Sequence, residues 1–350
     1  MFLGGFMTAQ AQTIVTPRKR FQGKVKIWGP WLVCGLIFFY LFRQIRPTEV
    51  LATLKFISVG PFVLYSFLYF ILVWTIDCLA LKHFLTRFSI PVTLKEMILV
   101  RGVSYLFMII NYPLSQGAFA IYLKKTHNAK IAKTLGTLSF IMIADLLLVL
   151  TSALIALVFT SPDPFLLSIQ NLAIEFILAI YLGYVLWIWF WKKIEGGSLR
   201  GLKKYRLIHW ILSHDIFLIF REAKTKDYLL LFGYRLPLLI VIIGGYNFAL
   251  FSFQSSLSWI DLYLYNPIIL LILALPITPG GLGTAQYFTI YFFSDRIQGP
   301  LLTAGKITAE NLLFASNLAW AFLNQLYKIA FGMFFFVRGN RKNFAPQNPE

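Results

Sequence analysis

Six stretches of this chain, at about 27–42, 57–81, 135–160, 170–191, 228–252 and 308–337, are apolar for close to or beyond the length of a membrane-spanning helix. A helix needs roughly 17 to 25 such residues to cross hydrocarbon, and in that medium every backbone amide must be satisfied within the segment or by a closed barrel. The runs show no period-two alternation, so the expectation is an all-α polytopic membrane protein with about six spanning helices. A composition of 58% hydrophobic and 13% charged residues lies outside the range of soluble globular chains and agrees with it. Cys34 and Cys78 both fall inside apolar runs, which excludes a disulfide framework and leaves them as small buried hydrophobes.

Two further apolar segments, about 97–122 and 262–294, are broken near their middles, by NYPLSQG and by LPITPGGLG. In the second, Pro276 and Pro279 precede Gly280, Gly281 and Gly283, and a helix cannot run through that composition. Each backbone group freed in hydrocarbon is costly, so such a break is tolerated only where protein or a water-filled cavity satisfies it. These breaks are therefore the first candidates for a functional site.

Charge decides how the broken segments run. If both are re-entrant hairpins, roughly 24 basic residues fall on the cytoplasmic side and about five outside. If both cross fully, the division is about 11 to 18. The re-entrant arrangement obeys the positive-inside bias. It gives cytoplasmic tails at 1–26 and 338–350, a single transmembrane domain at 27–337 in the cell membrane, and a basic cytoplasmic segment at 192–227 whose 205–224 stretch reads as an interfacial amphipathic helix. The net charge of +18 is spread between the apolar runs, which points to orientation and anionic lipid as its reasons and away from nucleic acid. The order span, span, broken hairpin, span then occurs twice, over 27–160 and 170–337, with the second half inverted. Pro113-Leu-Ser115-Gln116-Gly117 and Pro276-Ile-Thr278-Pro279-Gly280 share the pattern P-[LI]-[ST]-x-G. Inverted repeats with broken helices meeting near the midplane are a transporter architecture.

Ionisable residues inside spans are the other candidates, because each costs at least about 2.5 kcal/mol to insert. Asp145 falls near the midplane and is the candidate for coupling to an ion; Arg235 is placed to pair with it or to meet an anionic headgroup. Arg101, beside the first break, is placed to hold a phosphate. Asp77, Glu175, Glu310 and Lys328 read as closer to the ends of their spans and as interfacial. At the second break, amides around Gly280, Gly281 and Gly283 open a half-helix and would direct partial positive charge at an anion. Thr278, Thr284 and Gln286, with Ser115 and Gln116 opposite, add neutral donors and acceptors. The alternative is that the motif only makes a tight turn between packed helices. His209 and His214 lack the spacing of a metal pair, and no cofactor is expected.

On P-x-x-P-G-G-x-G at Pro276 to Gly283, with NYPLSQG and the basic loop between, the chain resembles the flippase-like family named for the transmembrane region of lysylphosphatidylglycerol synthase, the membrane half of multiple peptide resistance factor proteins. The resemblance covers about 27–337 and implies movement of lipid between leaflets. Two departures bear on the substrate. Family members often carry an acidic residue after the PGG motif, where this chain has Gln286, and Gly-Glu then Arg after the first motif, where it has Gly117, Ala118 and Ile121. With no soluble aminoacyl-transferring domain in this sequence, synthesis of aminoacylated lipid is not implied. The reading is a transporter of an anionic or polyprenyl-linked lipid that is not an enzyme, partnered by membrane lipids. A membrane transferase acting on a lipid carrier and a lipid-binding scaffold are the alternatives; HExxH and GxSxG motifs are absent from the sequence.

Overall fold

The computed structural model describes residues 32–43, 45–109, 112–159, 164–195, 214–274, 278 and 281–343. Among them the chain is helical throughout, with no strand beyond a single isolated bridge. In chain order the helices are α1 (Leu32–Arg43), α2 (Pro47–Leu54), α3 (Val59–Phe88), α4 (Leu94–Met108), α5 (Tyr112–His127), α6 (Ile131–Phe159) and α7 (Pro164–Glu195). After a 3₁₀ turn at Asp215–Phe217 come α8 (Leu218–Glu222), α9 (Thr225–Phe251), α10 (Trp259–Ala274), α11 (Thr284–Phe293), α12 (Pro300–Thr303) and α13 (Ala309–Asn343). Five helices, α3, α6, α7, α9 and α13, are long and apolar enough to cross a membrane. The described part of the first expected span is the short apolar α1. The N-terminal tail and residues 205–213 of the expected amphipathic helix lie outside the described residues; its remainder, 214–224, is the 3₁₀ turn and the five-residue α8, with extended backbone at Ala223, and not one continuous helix.

The pairs α4–α5 and α10–α11 are the broken segments. At 15, 16, 16 and 10 residues, each of their helices is shorter than a spanning helix. Both pairs close at their bases. Glu96 in the first turn of α4 meets His127 at the end of α5 at 3.3 Å. Ser256, ahead of α10, exchanges two backbone hydrogen bonds with Gln298, beyond α11, at 2.9 and 3.0 Å. Arg296 adds a bond from Nη2 to the Tyr265 hydroxyl at 2.9 Å, with its guanidinium 4.2 Å from that ring.

Helix α3 runs antiparallel to α9, tied at one end by the Ser58 amide to the Ser252 carbonyl (2.8 Å) and at the other by Arg87 to Asp227 (3.4 Å). The remaining major contacts are reciprocal: α4 of the first hairpin packs on α13, and α10 of the second packs on α6. Each hairpin thus leans on the closing helix of the other half. The α4–α13 crossing depends on glycine. A Cβ at Gly102 would lie 2.4 Å from Phe335, and one at Gly332 would lie 2.6 Å from Leu106 and 3.3 Å from the Gly102 carbonyl oxygen. Small residues at such crossings let backbones approach where lipid offers no hydrophobic drive between helices. The apolar interior forms two large clusters, one with Phe84, Met97, Phe119 and Phe140 around the first hairpin, the other with Phe253, Leu262, Phe292 and Leu312 around the second. Exposed Leu, Ile and Phe side chains along α3, α6, α7 and α13 form the outer apolar surface.

Candidate functional site

Four helices each bring one charged side chain to the same place. Asp77 comes from α3, Arg101 from α4, Asp145 from α6 and Arg235 from α9. Arg101 Nε lies 2.6 Å from Asp77 Oδ2, and Arg235 Nη1 donates to Asp77 Oδ1 at 2.6 Å. Arg235 also grips Asp145 bidentately, Nε to Oδ1 at 2.5 Å and Nη2 to Oδ2 at 2.6 Å. Charge-assisted bonds in this planar geometry are the strong class of hydrogen bond. The side chains of Arg101, Asp77 and Arg235 are 7%, 7% and 6% exposed, whereas Asp145 is 35% exposed. The chain is therefore sealed at the Arg101 end and open at Asp145. Tyr105 lies beneath the Arg101 guanidinium at 5.4 Å, and Tyr112, in the first turn of α5, is within electrostatic reach of all four groups.

The sequence reading placed Asp77 near a helix end, and the structure corrects this. Helix α3 continues through Phe88, past Lys82, His83 and Arg87, so Asp77 sits about 16 Å from its end at 1.5 Å per residue. Lys328 lies ten residues, about 15 Å, from Arg338 at the end of its apolar helix. The apolar run read at 57–81 ended at Lys82, but helix α3 did not. Arg235 and Asp145, which the sequence offered as partners, are bonded.

In the first hairpin the break precedes the motif. Helix α4 stops at Met108 and α5 begins at Tyr112, so Pro113, Ser115, Gln116 and Gly117 are helical. Proline is favoured in a first helical turn because its missing N–H is unpaired there anyway. Ser115 Oγ and Gln116 Oε1 are buried without a hydrogen-bond partner among the described residues, while a Cβ at Gly117 would meet nothing within 4 Å.

In the second hairpin Pro276, Pro279 and Gly280 lie outside the described residues. The rest of the tip is closed on itself. Gly281 and Gly283 adopt φ of +74° and +80°, the left-handed region open to glycine. The Gly281 amide donates to the Thr278 carbonyl at 3.3 Å, and the Gly283 amide donates to Gln286 Oε1 at 2.7 Å. The hydroxyls of Thr278 and Thr284 are 2.9 Å apart. Gln286 Nε2 donates to Asn317 Oδ1 of α13 at 2.9 Å, and Asn317 Nδ2 to Thr289 at 3.3 Å. Two of the amides expected to face an anion are thus engaged within the protein, and Gln286 is the residue that caps the half-helix. The tips sit in different apolar clusters, and α13 reaches both.

A groove of about 370 Å³ opens between α3, α9 and α10, lined by Tyr65, Tyr69, Gly244, Gly245, Trp259 and Tyr263 among others. Residues 27–296, which carry all four of these charged side chains and both hairpins, match the family described as the lysylphosphatidylglycerol synthase TM region. The chain belongs to that family. Membership, together with the apolar helices, makes it a multi-pass membrane protein and points to a lipid-related function. Comparison with curated proteins and with solved structures finds no significant match. The family match ends before α13, so Asn317 and Lys328 belong to the part of the chain beyond it.

Proposed function

We propose that this member of the family moves an anionic phospholipid or polyprenyl-linked lipid between the leaflets of the cell membrane. Its hairpins are re-entrant, its halves form an inverted repeat, and both termini are cytoplasmic. The observation that carries this reading is the buried Arg101–Asp77–Arg235–Asp145 chain with one open end. Asp145 lies near the middle of α6, paired with Arg235 and one-third exposed, which leaves this end of the charge chain open to a polar guest. A headgroup enters there, and the arginines meet its phosphate by exchanging bonds with the aspartates. Closure of each hairpin at its base supports the re-entrant topology, and the reciprocal packing of α4 on α13 and α10 on α6 supports the repeat. The aromatic groove along α3 and α9 offers an apolar path for acyl chains. No covalent step belongs to this reading, since the charged groups neutralise one another and activate no nucleophile.

The test is movement of a fluorescent phosphatidylglycerol in proteoliposomes, read by chemical quenching of the outer leaflet. Wild-type protein should equilibrate the probe, and Asp145→Asn, which keeps the shape of the side chain, should slow it at least about tenfold, because Arg235 loses the carboxylate that displaces the phosphate and releases the headgroup more slowly. Absence of movement with inserted wild-type protein refutes the reading.

A further inference from the structure

The groove between α3, α9 and α10 is shaped by two glycines. A Cβ at Gly244 would lie 3.0 Å from the Tyr263 hydroxyl and 3.4 Å from Trp259, and one at Gly245 would lie 2.5 Å from the Tyr69 ring. The missing side chains let all three rings lean on the α9 backbone. Tyr263 donates its hydroxyl to the Ile240 carbonyl at 3.1 Å, which turns its polar end onto the helix and leaves the ring as a wall. Tyr65 and Phe248 meet across the α3–α9 crossing with ring centroids 5.8 Å apart. None of the described residues that line the groove is charged. Leu68, Leu72, Ile240 and Trp259 are exposed, so it opens on the outer apolar surface.

Size and depth select the occupant. On α9 the lining runs from Ile240 to Phe248, about 12 Å at 1.5 Å per residue. A volume of about 370 Å³ over that length gives a cross-section of roughly 30 Å², about a third of that of a helix 10–12 Å across with its side chains. The groove is too narrow to seat a helix, whether of a partner or of a second copy. Helix α9 ends at Phe251, so Ile240 lies about 16 Å from that end, and half of the hydrocarbon core is about 15 Å thick. The groove thus spans one leaflet, the one away from the Arg87–Asp227 contact, and ends near the bilayer centre. A headgroup finds no charged partner in it. One chain of a lipid in that leaflet matches both its width and its length. Lipid gives no hydrophobic drive between apolar groups, so contact decides: an unfilled groove forfeits dispersion at the faces of its five rings.

We propose that the groove seats one acyl chain of a phospholipid of that leaflet, in the seam between α3 and the second hairpin's α10, both of which pack on α9. The chain sets the spacing of α10 from α3. The seat stands whether or not the protein moves lipid.

The experiment reconstitutes the full-length protein in phosphatidylglycerol vesicles that contain a phosphatidylglycerol with a diazirine in one acyl chain, and maps the photoadducts by peptide mass spectrometry. Leu178, Leu182 and Val185 of α7, exposed on the outer surface, report ordinary contact with the bilayer. Labelling of the groove on α3 and α9 should exceed that of α7 at least about threefold, the ratio given by half a dozen extra dispersion contacts. Leu72→Trp, at a 47%-exposed position, fills the groove and should bring its labelling down to the α7 level. Leu64→Trp, 53% exposed on the same helix but outside the groove, should leave the preference unchanged. Unchanged α7 labelling shows that each variant is inserted. Equal labelling of groove and α7 in wild type, or no effect of Leu72→Trp, overturns the seat. A groove labelled less than α7, in protein that migrates as a dimer, assigns it to a second copy and overturns the seat too. Preferential labelling without lipid movement keeps the seat and refutes the transport reading; lipid movement with equal labelling does the reverse.

Discussion

Neutralising Asp77 tests the architecture most directly. Its carboxylate stands between two arginines, 2.6 Å from each, and is 7% exposed. Asp77→Asn keeps the shape and removes the charge. Arg235 retains its bidentate bond to Asp145, so the loss falls on Arg101, which is 7% exposed and has no second carboxylate within 4.0 Å among the described residues. Removing one partner of a buried pair costs about 3–5 kcal/mol, because the remaining charge stays buried and uncompensated. Asp145→Asn is the control. Asp145 is 35% exposed and Arg235 keeps Asp77, so the expected cost is about 1–2 kcal/mol. Adding Arg101→Leu to Asp77→Asn removes the orphaned cation and should restore about 2 kcal/mol. Denaturant titration of the variants in lipid bicelles measures all three. If Asp77→Asn costs no more than Asp145→Asn, or if Arg101→Leu adds its own penalty to Asp77→Asn, the network does not carry the buried charge in this way.

Three further outcomes are expected. Gly281→Leu places a side chain at φ +74°, with its Cβ 2.7 Å from the movable tip of Leu273; the backbone strain of about 1–3 kcal/mol should abolish lipid movement in inserted protein, and unchanged movement would remove this tip from the site. Glu96 accepts the Thr93 amide at 2.7 Å and hydroxyl at 2.9 Å and pairs with His127, contacts that hold its carboxyl below the usual range. With its folded pKa depressed, its stabilisation is full above about pH 4.3 and is lost as pH falls through the folded value. Amide exchange in the first turn of α4 should accelerate over that acid range in wild type but not in Glu96→Gln, and equal pH profiles would refute the assignment. Lys130→Cys, at an 73%-exposed side chain, should react with a membrane-impermeant thiol reagent only when the cytoplasmic face is presented; reaction from outside would overturn the topology.

The all-helical membrane fold and the two breaks were legible in the sequence because hydrocarbon leaves the backbone few choices. Apolar runs must be helices, and Pro276 to Gly283 cannot be one. The reading of Arg235 and Asp145 as a pair came from depth alone, since each was far from an interface. Composition along a line says where a helix is apolar, but the physical end of a helix is set by what packs against it. Helix α3 carries on through Lys82 and Arg87 because Arg87 meets Asp227 of α9, and this takes Asp77 from an apparent edge to the interior. Likewise Gln286 reads in sequence as a missing acid. Only the fold shows its amide capping Gly283 and reaching Asn317, with which it shares no local pattern. The sequence by itself determined that charged residues would be buried in a membrane and that two apolar segments had to break, while the fold put the first break ahead of a motif that is itself helical. Tertiary structure decided which charges meet, because partners as far apart in the chain as Asp77 and Arg235 are brought to 2.6 Å only by the crossing of their helices.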